Sequence, residues 1–367
     1  MASTPDRVRD LIQQSRLSQR AFAERVRLDE SKLSKSLSGK RRFSSLDLAR
    51  IAEASGVTVD WLLTGDEPQL AMAARSSGGS AERAVREARR LTALRSDMAF
   101  LGFGQQWRPV TVDLERGMWV DQGERLAAAA GRHVEEKGRS VHEHDLAGVI
   151  EAVFGVDVAI ADLGDDFDGL AVSSEEVKLI LVATTSLPWR QRYTLVHELG
   201  HVLAGDDHGL HVDQDVYDPA RKRDGSEVRA NAFAASFLMP AVLLRERVGE
   251  SGLSQEEFAA LACELRVSPS ALAFRLQNLR LVDAATGERF RAMTGARAAH
   301  LSERGEDFAR LLTASRTPRL PQPPIRDTFA AYDQGAATLR PYANLIGADA
   351  ERLAQALDCG DDLFHAS

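Results

Sequence analysis

Apolar positions along this chain recur mostly every three or four residues, the spacing of helices that bury one face. Residues 5 to 65 break into five short helices, with polar openings at Leu17-Ser18-Gln19 and Asp29-Glu30-Ser31 and glycines at Gly39, Gly56 and Gly65. The stretch from Asp66 to Ala81 contains Ser76-Ser77-Gly78-Gly79-Ser80, the composition of a flexible linker. A charged helical pattern runs from Glu82 to about Met98 and predicts a helix solvated on one face, and two more helices fill 120 to 154. The period then changes. Val156-Ala161, Leu170-Val172 and Val177-Val182 are β-prone runs that predict a small sheet. Helical spacing returns from Ser186 and Pro188 through Tyr193, Leu195, Val196, Leu199, Val202 and Leu203 to a stop at Gly205. A further helix runs from Glu227 to Ala235 and is closed by Pro240. Residues 253 to 276 read as two helices around a tight turn, and 289 to 315 and 326 to 358 as more helix on either side of a break at Pro318 to Pro324. The predicted class is α+β and predominantly helical. It comprises a five-helix head (1–65), a linker and helix (66–100), a central domain with a small sheet (101–285) and a helical tail (286–367).

One of these helices carries chemistry. His197-Glu198-Leu199-Gly200-His201 places two imidazoles at i and i+4, on one helical face, so both reach a single metal ion. With 9 histidines in 367 residues, such a pattern arises by chance roughly 0.015 times per chain. Neutral imidazole is a good ligand for Zn²⁺, and a catalytic zinc site uses three protein ligands and keeps a position for water. Glu198 lies beside the histidine face, where a carboxylate takes the water proton and passes it to a leaving amine. The third ligand has several candidates: Asp207, His208 and His211 follow in a polar loop, and Glu227 opens the next helix. Glu227 is preferred because it shares a face with Asn231 and Ala234, on a helix whose alanines permit close approach to the first. The longer metzincin spacing is excluded by Ala204 and Asp207, which stand where Gly and His are required.

The run Tyr193 to His201, followed by Glu227-x-x-Ala230-Asn231-x-Phe233-Ala234 and Leu238-Met239-Pro240, resembles the ImmA/IrrE family of bacterial metallopeptidases, and the likeness extends back over Val156 to Val182. The resemblance implies a zincin-like peptidase domain. His197, His201 and Glu227 would hold zinc, Glu198 would be the catalytic base, and the protein cleaved would be a helix-turn-helix repressor. In that family a helix-turn-helix-like pair adjoins the peptidase core, matching Leu253 to Leu276. Its Ala, Leu and Phe content and sparse basic residues favour a packing element over a second DNA contact.

The head gives a separate signal. Ser18-Gln19-Arg20-x-Phe22-Ala23-Glu24, Ser31 to Lys40 and Val57-Thr58-Val59-Asp60-Trp61-Leu62-Leu63 resemble the Xre/Cro-type helix-turn-helix family, in which the helix after the turn enters the major groove. Charge agrees with that resemblance: residues 1 to 65 carry net +4, whereas the remainder carries −12. Gln19, Lys40, Arg41 and Arg42 are the expected phosphate contacts, and Glu30, Ser31, Ser34 and Lys35 face the groove. Arg27 stands near the turn where the family often has Gly, and a left-handed backbone there costs about 1 kcal/mol. A palindromic operator would call for a homodimer.

No stretch approaches the roughly 18 apolar residues of a membrane span, and the N-terminus lacks a signal peptide's apolar core, so a cytoplasmic protein is expected. Cys263 and Cys359 lack metal-type spacing and read as small buried residues, while His142 and His144 read as surface groups. Tyr193 reads as core, Tyr217 as a candidate oxyanion donor, and Arg221-Lys222-Arg223 as a solvated loop. The combined expectation is a DNA-binding regulator with zinc-dependent endopeptidase activity. Its rival is a non-catalytic Xre-type transcription factor whose metallopeptidase fold serves as a sensor or partner-binding module, or an antitoxin-like partner.

Overall fold

The computed structural model describes residues 3–15, 17–55, 62, 80–164, 167–206, 209–213, 225–249 and 252–362, and the chain divides into two compact units, Met1–Gly78 and Gly79–Ser367. The first unit contains α1 (Thr4–Gln14), α2 (Gln19–Arg25), α3 (Glu30–Leu37) and α4 (Ser45–Ser55). Ser18 caps α2 by accepting a hydrogen bond from the Ala21 amide at 3.2 Å, and the Asp29 carboxylate caps α3 through the Lys32 amide at 3.0 Å. Their inner faces meet in a core of Val8, Leu11, Phe22, Val26, Leu33, Leu37, Leu48 and Ile51. Leu62 is buried with them, whereas the rest of the expected closing helix and the linker lie outside the described residues.

The second unit runs α5 (Ser80–Phe100), α6 (Trp119–Glu136), α7 (Leu146–Phe154), β1 (Asp157–Ala161), β2 (Gly169–Ser173), β3 (Lys178–Ala183), α8 (Pro188–Ala204), β4 (Gly209–Asp213), α9 (Gly225–Leu238), α10 (Ala241–Val248), α11 (Gln255–Leu265) and α12 (Pro269–Asn278). The tail adds α13 (Ala284–Arg291), α14 (Gly295–Leu301), α15 (Gly305–Arg316), α16 (Gln322–Asp333), α17 (Arg340–Ile346) and α18 (Ala350–Asp362). The strands form one sheet in the order β1-β3-β2-β4. β1 runs parallel to β3, and β2 runs antiparallel to both β3 and β4. Both faces of the central strands are covered. Val158, Ala171, Ile180 and Val182 join the core that holds Leu195, Val196 and Leu199 of α8, and α5 packs on β2 and β3 as well.

Three features differ from the sequence pattern. β4 lies where a polar loop was expected, and it pairs with β2 in the register Leu170 to Val212. α5 is not simply a solvated helix: Arg95, 2% exposed, donates to Asp157 at 2.7 Å and to Asp327 of α16 at 2.6 Å. Burying a guanidinium is expensive unless it is paired in this way, so the contact ties helix, sheet and tail together. The expected break at Pro318–Pro324 is shorter, because Pro323 and Pro324 sit in the first turn of α16, where a missing amide hydrogen costs nothing. Just before it, Arg319 exchanges both backbone hydrogen bonds with Ile160 at 2.9 and 2.8 Å and covers the outer edge of β1.

Candidate metal centre

α8 begins at Pro188, with Leu187 rather than Ser186 in the cap position, and ends at Gly205. Every residue from Thr194 to Leu203 is buried, which is why the helix shows little amphipathicity: it crosses the interior with the sheet on one side and α9 on the other. Two glycines allow the close approaches this needs. A Cβ on Gly200 would lie 2.9 Å from the Phe233 ring and 3.4 Å from the Ala230 Cα, so α9 presses directly on the middle of the motif. A Cβ on Gly169 would lie 2.8 Å from the Thr194 methyl and 3.3 Å from Glu198 Oε1, so the first residue of β2 rests on the carboxylate.

His197, Glu198 and His201 are fully buried and Glu227 is 3% exposed. The two Nε2 atoms stand 3.2 Å apart, His197 Nε2 lies 3.4 Å from Glu227 Oε2, and His201 Nε2 lies 3.7 Å from Glu227 Oε1. These three side chains form the one cluster of metal-type donors among the described residues. The spacing provides a fit test. Four donors about 2.05 Å from a zinc ion at tetrahedral angles stand roughly 3.3 Å from each other, and the observed separations bracket that value. Two imidazoles and a carboxylate are also a donor set that zinc accepts, so the residues fit the ion. His211 lies in β4, and Asp207, His208, Tyr217 and Arg221 to Arg223 lie outside the described residues.

A second layer holds the ligands. Asp206 Oδ2 lies 3.1 Å from His201 Nδ1, the nitrogen turned away from the cluster, which leaves Nε2 with its lone pair toward the ligand point. Asp206 is ion-paired with Arg229 on α9. Arg229 donates to Gln122 Oε1 at 3.0 Å and its guanidinium sits 4.9 Å from the centre of the Trp119 ring. Tyr193, one turn before His197, is partly buried, and its hydroxyl donates to Asn231 Oδ1 at 2.9 Å. Arg192 is buried on the other side of the helix and donates to the carbonyls of Val141 and Glu143, both at 2.9 Å; burial pushes its guanidinium down to about 9. These partners escaped sequence reading, although Asp206 adjoins the helix stop and Asn231 shares the Glu227 face.

Residues 151–277 match the family model of the IrrE N-terminal-like domain, which spans the sheet, α8, α9 and the helix pair beyond, and residues 6–62 match a helix-turn-helix domain. The chain thus joins a helix-turn-helix domain to an IrrE N-terminal-like domain. It is similar to the radiation response metalloprotease IrrE of Deinococcus radiodurans, 35% identical over 133 residues, which are 36% of this chain and 40% of that protein. It is also similar to the radiation response metalloprotease IrrE of Deinococcus deserti, 31% identical over 155 residues, 41% of this chain and 54% of that protein. The matches therefore span about half the length of these relatives or less.

In the helix-turn-helix domain, Gln19, Glu30, Ser31, Ser34, Lys35, Lys40 and Arg42 are exposed on α2, α3 and the segment after α3. Arg41 is half-buried. Its guanidinium pairs with Asp47 at 2.8 Å and donates to Ser36 Oγ at 3.2 Å, which ties α3 to α4. Arg27 is left-handed, with φ of 53°, so the strain foreseen at the turn is present. Of the two histidines expected at the surface, His144 is exposed, whereas His142 is half-buried with Nε2 2.9 Å from the Leu238 carbonyl oxygen. Cys263 is a buried free thiol.

Proposed function

We propose that the protein is a DNA-binding transcriptional regulator with zinc-dependent endopeptidase activity. The observation that carries this reading is the buried convergence of two imidazoles and a carboxylate at tetrahedral spacing, with the Glu198 carboxylate one residue along the same helix. His197, His201 and Glu227 would hold the ion. Zinc bound there supplies Lewis acidity to a peptide carbonyl and to water. Glu198, positioned against Gly169, accepts a proton from the attacking water and returns it to the leaving amine. Asp206 keeps His201 in the tautomer that a ligand needs.

The exposed residues of α3, with Gln19, Lys40 and Arg42 around them, make a surface suited to a DNA groove and its phosphates, and a palindromic operator would recruit two copies. Attachment to DNA places the peptidase where repressors reside, which supports a helix-turn-helix repressor as substrate and derepression as the outcome. Both relatives are named radiation response metalloproteases, and the IrrE N-terminal-like match over residues 151–277 covers the metal-type donors. Co-expression with candidate repressors tests the reading. Wild type should yield repressor fragments and Glu198→Ala none; fragments from both, or from neither, would remove the enzymatic claim for those substrates.

A further inference from the structure

Beside the ligand helix, between the start of α8, the end of α9 and the start of α12, lies a cavity of about 240 Å³ whose walls include Leu187, Trp189, Tyr193, Met239, Val267 and Ala271. We propose that this cavity is a specificity subsite that receives one bulky aliphatic or aromatic side chain, such as Leu, Met or Phe, next to the scissile bond. The inference rests on the peptidase reading above and names the substrate feature that reading leaves open.

The cavity lies close to the donor cluster. Tyr193 forms part of the wall, and its ring centroid lies 6.5 Å from that of His197 one turn further along the helix. A helical turn rises about 5.4 Å and an extended peptide advances about 3.5 Å per residue, so a substrate residue adjacent to the reacting carbonyl, or one further, brings its side chain to this opening. The Tyr193 hydroxyl is held by Asn231, which fixes the ring that forms this wall of the cavity.

Chemistry comes second. The charged group on the wall, Arg190, is spent in a bidentate ion pair with Asp168 at 2.9 and 2.6 Å. A carboxylate or ammonium entering the cavity would lose water with little in exchange, whereas an apolar side chain loses nothing. Size is the third constraint. A cavity of about 150 Å³ suffices for benzene, so this one accepts a leucine or phenylalanine side chain with room to adjust. Leu187 stands 53% exposed at the rim, where a side chain entering the cavity would cover it. Val267 and Ala271 come from the second helix-turn-helix-like pair, which therefore contributes a wall of the subsite.

The test uses the full-length chain with zinc and a degenerate peptide library whose cleavage sites are read by mass spectrometry. Wild type should show Leu, Met or Phe enriched about tenfold or more at one position beside the cut. Ala271→Leu fills the cavity and should shift that preference to Ala and Gly, lowering kcat/KM for the bulky substrate at least tenfold while small substrates change little. Leu187→Ala, at the exposed rim, is the milder second variant and should weaken the preference about threefold; circular dichroism checks that both fold. A binding readout runs in parallel: Glu198→Gln protein is titrated calorimetrically with two octapeptides that differ only in Leu against Gly at the selected position. The Leu peptide should bind about tenfold tighter, and Ala271→Leu should erase the difference. Cleavage with a flat profile, or a profile that ignores Ala271→Leu and Leu187→Ala, overturns the subsite and leaves the peptidase intact. Selective binding that depends on Ala271 without any cleavage upholds the cavity and overturns the peptidase. Neither cleavage nor selective binding overturns both.

Discussion

The chain contains two helix pairs built to the same local plan, α2–α3 and α11–α12, and they end in opposite situations. Each first helix is capped by a serine, Ser18 in one and Ser254 in the other, the latter in a reciprocal box with Glu257. Each turn places a left-handed arginine after the first helix, Arg27 at φ of 53° and Arg266 at 52°. The next amide closes back on the helix, Leu28 to the Ala23 carbonyl at 2.9 Å and Val267 to the Ala262 carbonyl at 3.1 Å. Each second helix is then capped by a short polar side chain, Asp29 or Ser268. The outcome differs because the outer faces differ. At the positions where α3 exposes Glu30, Ser31, Ser34 and Lys35, α12 carries buried Pro269, exposed Ser270, buried Ala273 and exposed Phe274, and it turns Ala271 to the cavity. A helix-turn-helix is thus a local solution to ending one helix and starting another, and its use is decided by the side chains on the face that the turn leaves over.

The comparison breaks most visibly in stability. Phe258, fully buried in α11 and stacked on Phe290 with centroids 3.9 Å apart, should cost about 3–5 kcal/mol when changed to Ala, measured by denaturant unfolding. Ser34→Ala and Lys35→Ala on α3 should stay within about 0.5 kcal/mol yet weaken operator binding; a destabilisation as large as that of Phe258→Ala would mean that α3 is a packing helix as well. Next in size are Lys40→Ala and Arg42→Ala. As phosphate contacts, each should lower affinity for all DNA sequences alike and reduce the slope of log K against log salt by about one, and an unchanged slope would remove them from the interface.

The two arginines sharpen the comparison. Arg27→Gly should stabilise the head by about 1 kcal/mol by relieving the left-handed strain, read from its melting transition. Arg266→Gly should gain less, because Arg266 also donates to the His142 carbonyl and loses that bond. The smallest effect concerns pH and arises where α11 leads into this turn. Burial holds the His142 ring below the ordinary histidine pKa, beside the Arg192 and Arg266 guanidiniums and opposite Glu264. The unfolded chain therefore protonates first, so stability falls as pH drops below about 6.5 and levels off once the folded ring is also protonated. His142→Asn should flatten that slope in urea titrations between pH 7 and 5, and an unchanged slope would assign it to other groups.

Legibility followed the range of the interactions. The ligand helix and its stop, the strands β1 to β3 and both tight turns are written in residues within a few positions of each other, so periodicity and capping expose them. β4 was hidden because Gly209, His211 and Asp213 read as polar turn residues, and pairing with β2 overrides that weak propensity. The chain from His201 through Asp206 and Arg229 to Gln122 joins segments about a hundred residues apart, and local pattern holds no record of such pairs. The same applies to Arg95 with Asp157 and Asp327, where a charged residue on a charged helix reads as solvated until its partners are placed. Arg41 shows the converse case: a basic run suggests phosphate contact, while the pairing of one member with Asp47 leaves no mark in the local pattern.

Everything proposed for the second unit turns on whether His197, His201 and Glu227 grip one ion. Zinc content per chain, measured by mass spectrometry of the elements on protein purified without added metal, decides it directly. The account predicts close to one zinc in wild type and in Glu198→Gln, and loss of the ion in Glu227→Ala with the fold retained by circular dichroism. No zinc in wild type, or full occupancy in Glu227→Ala, would contradict it.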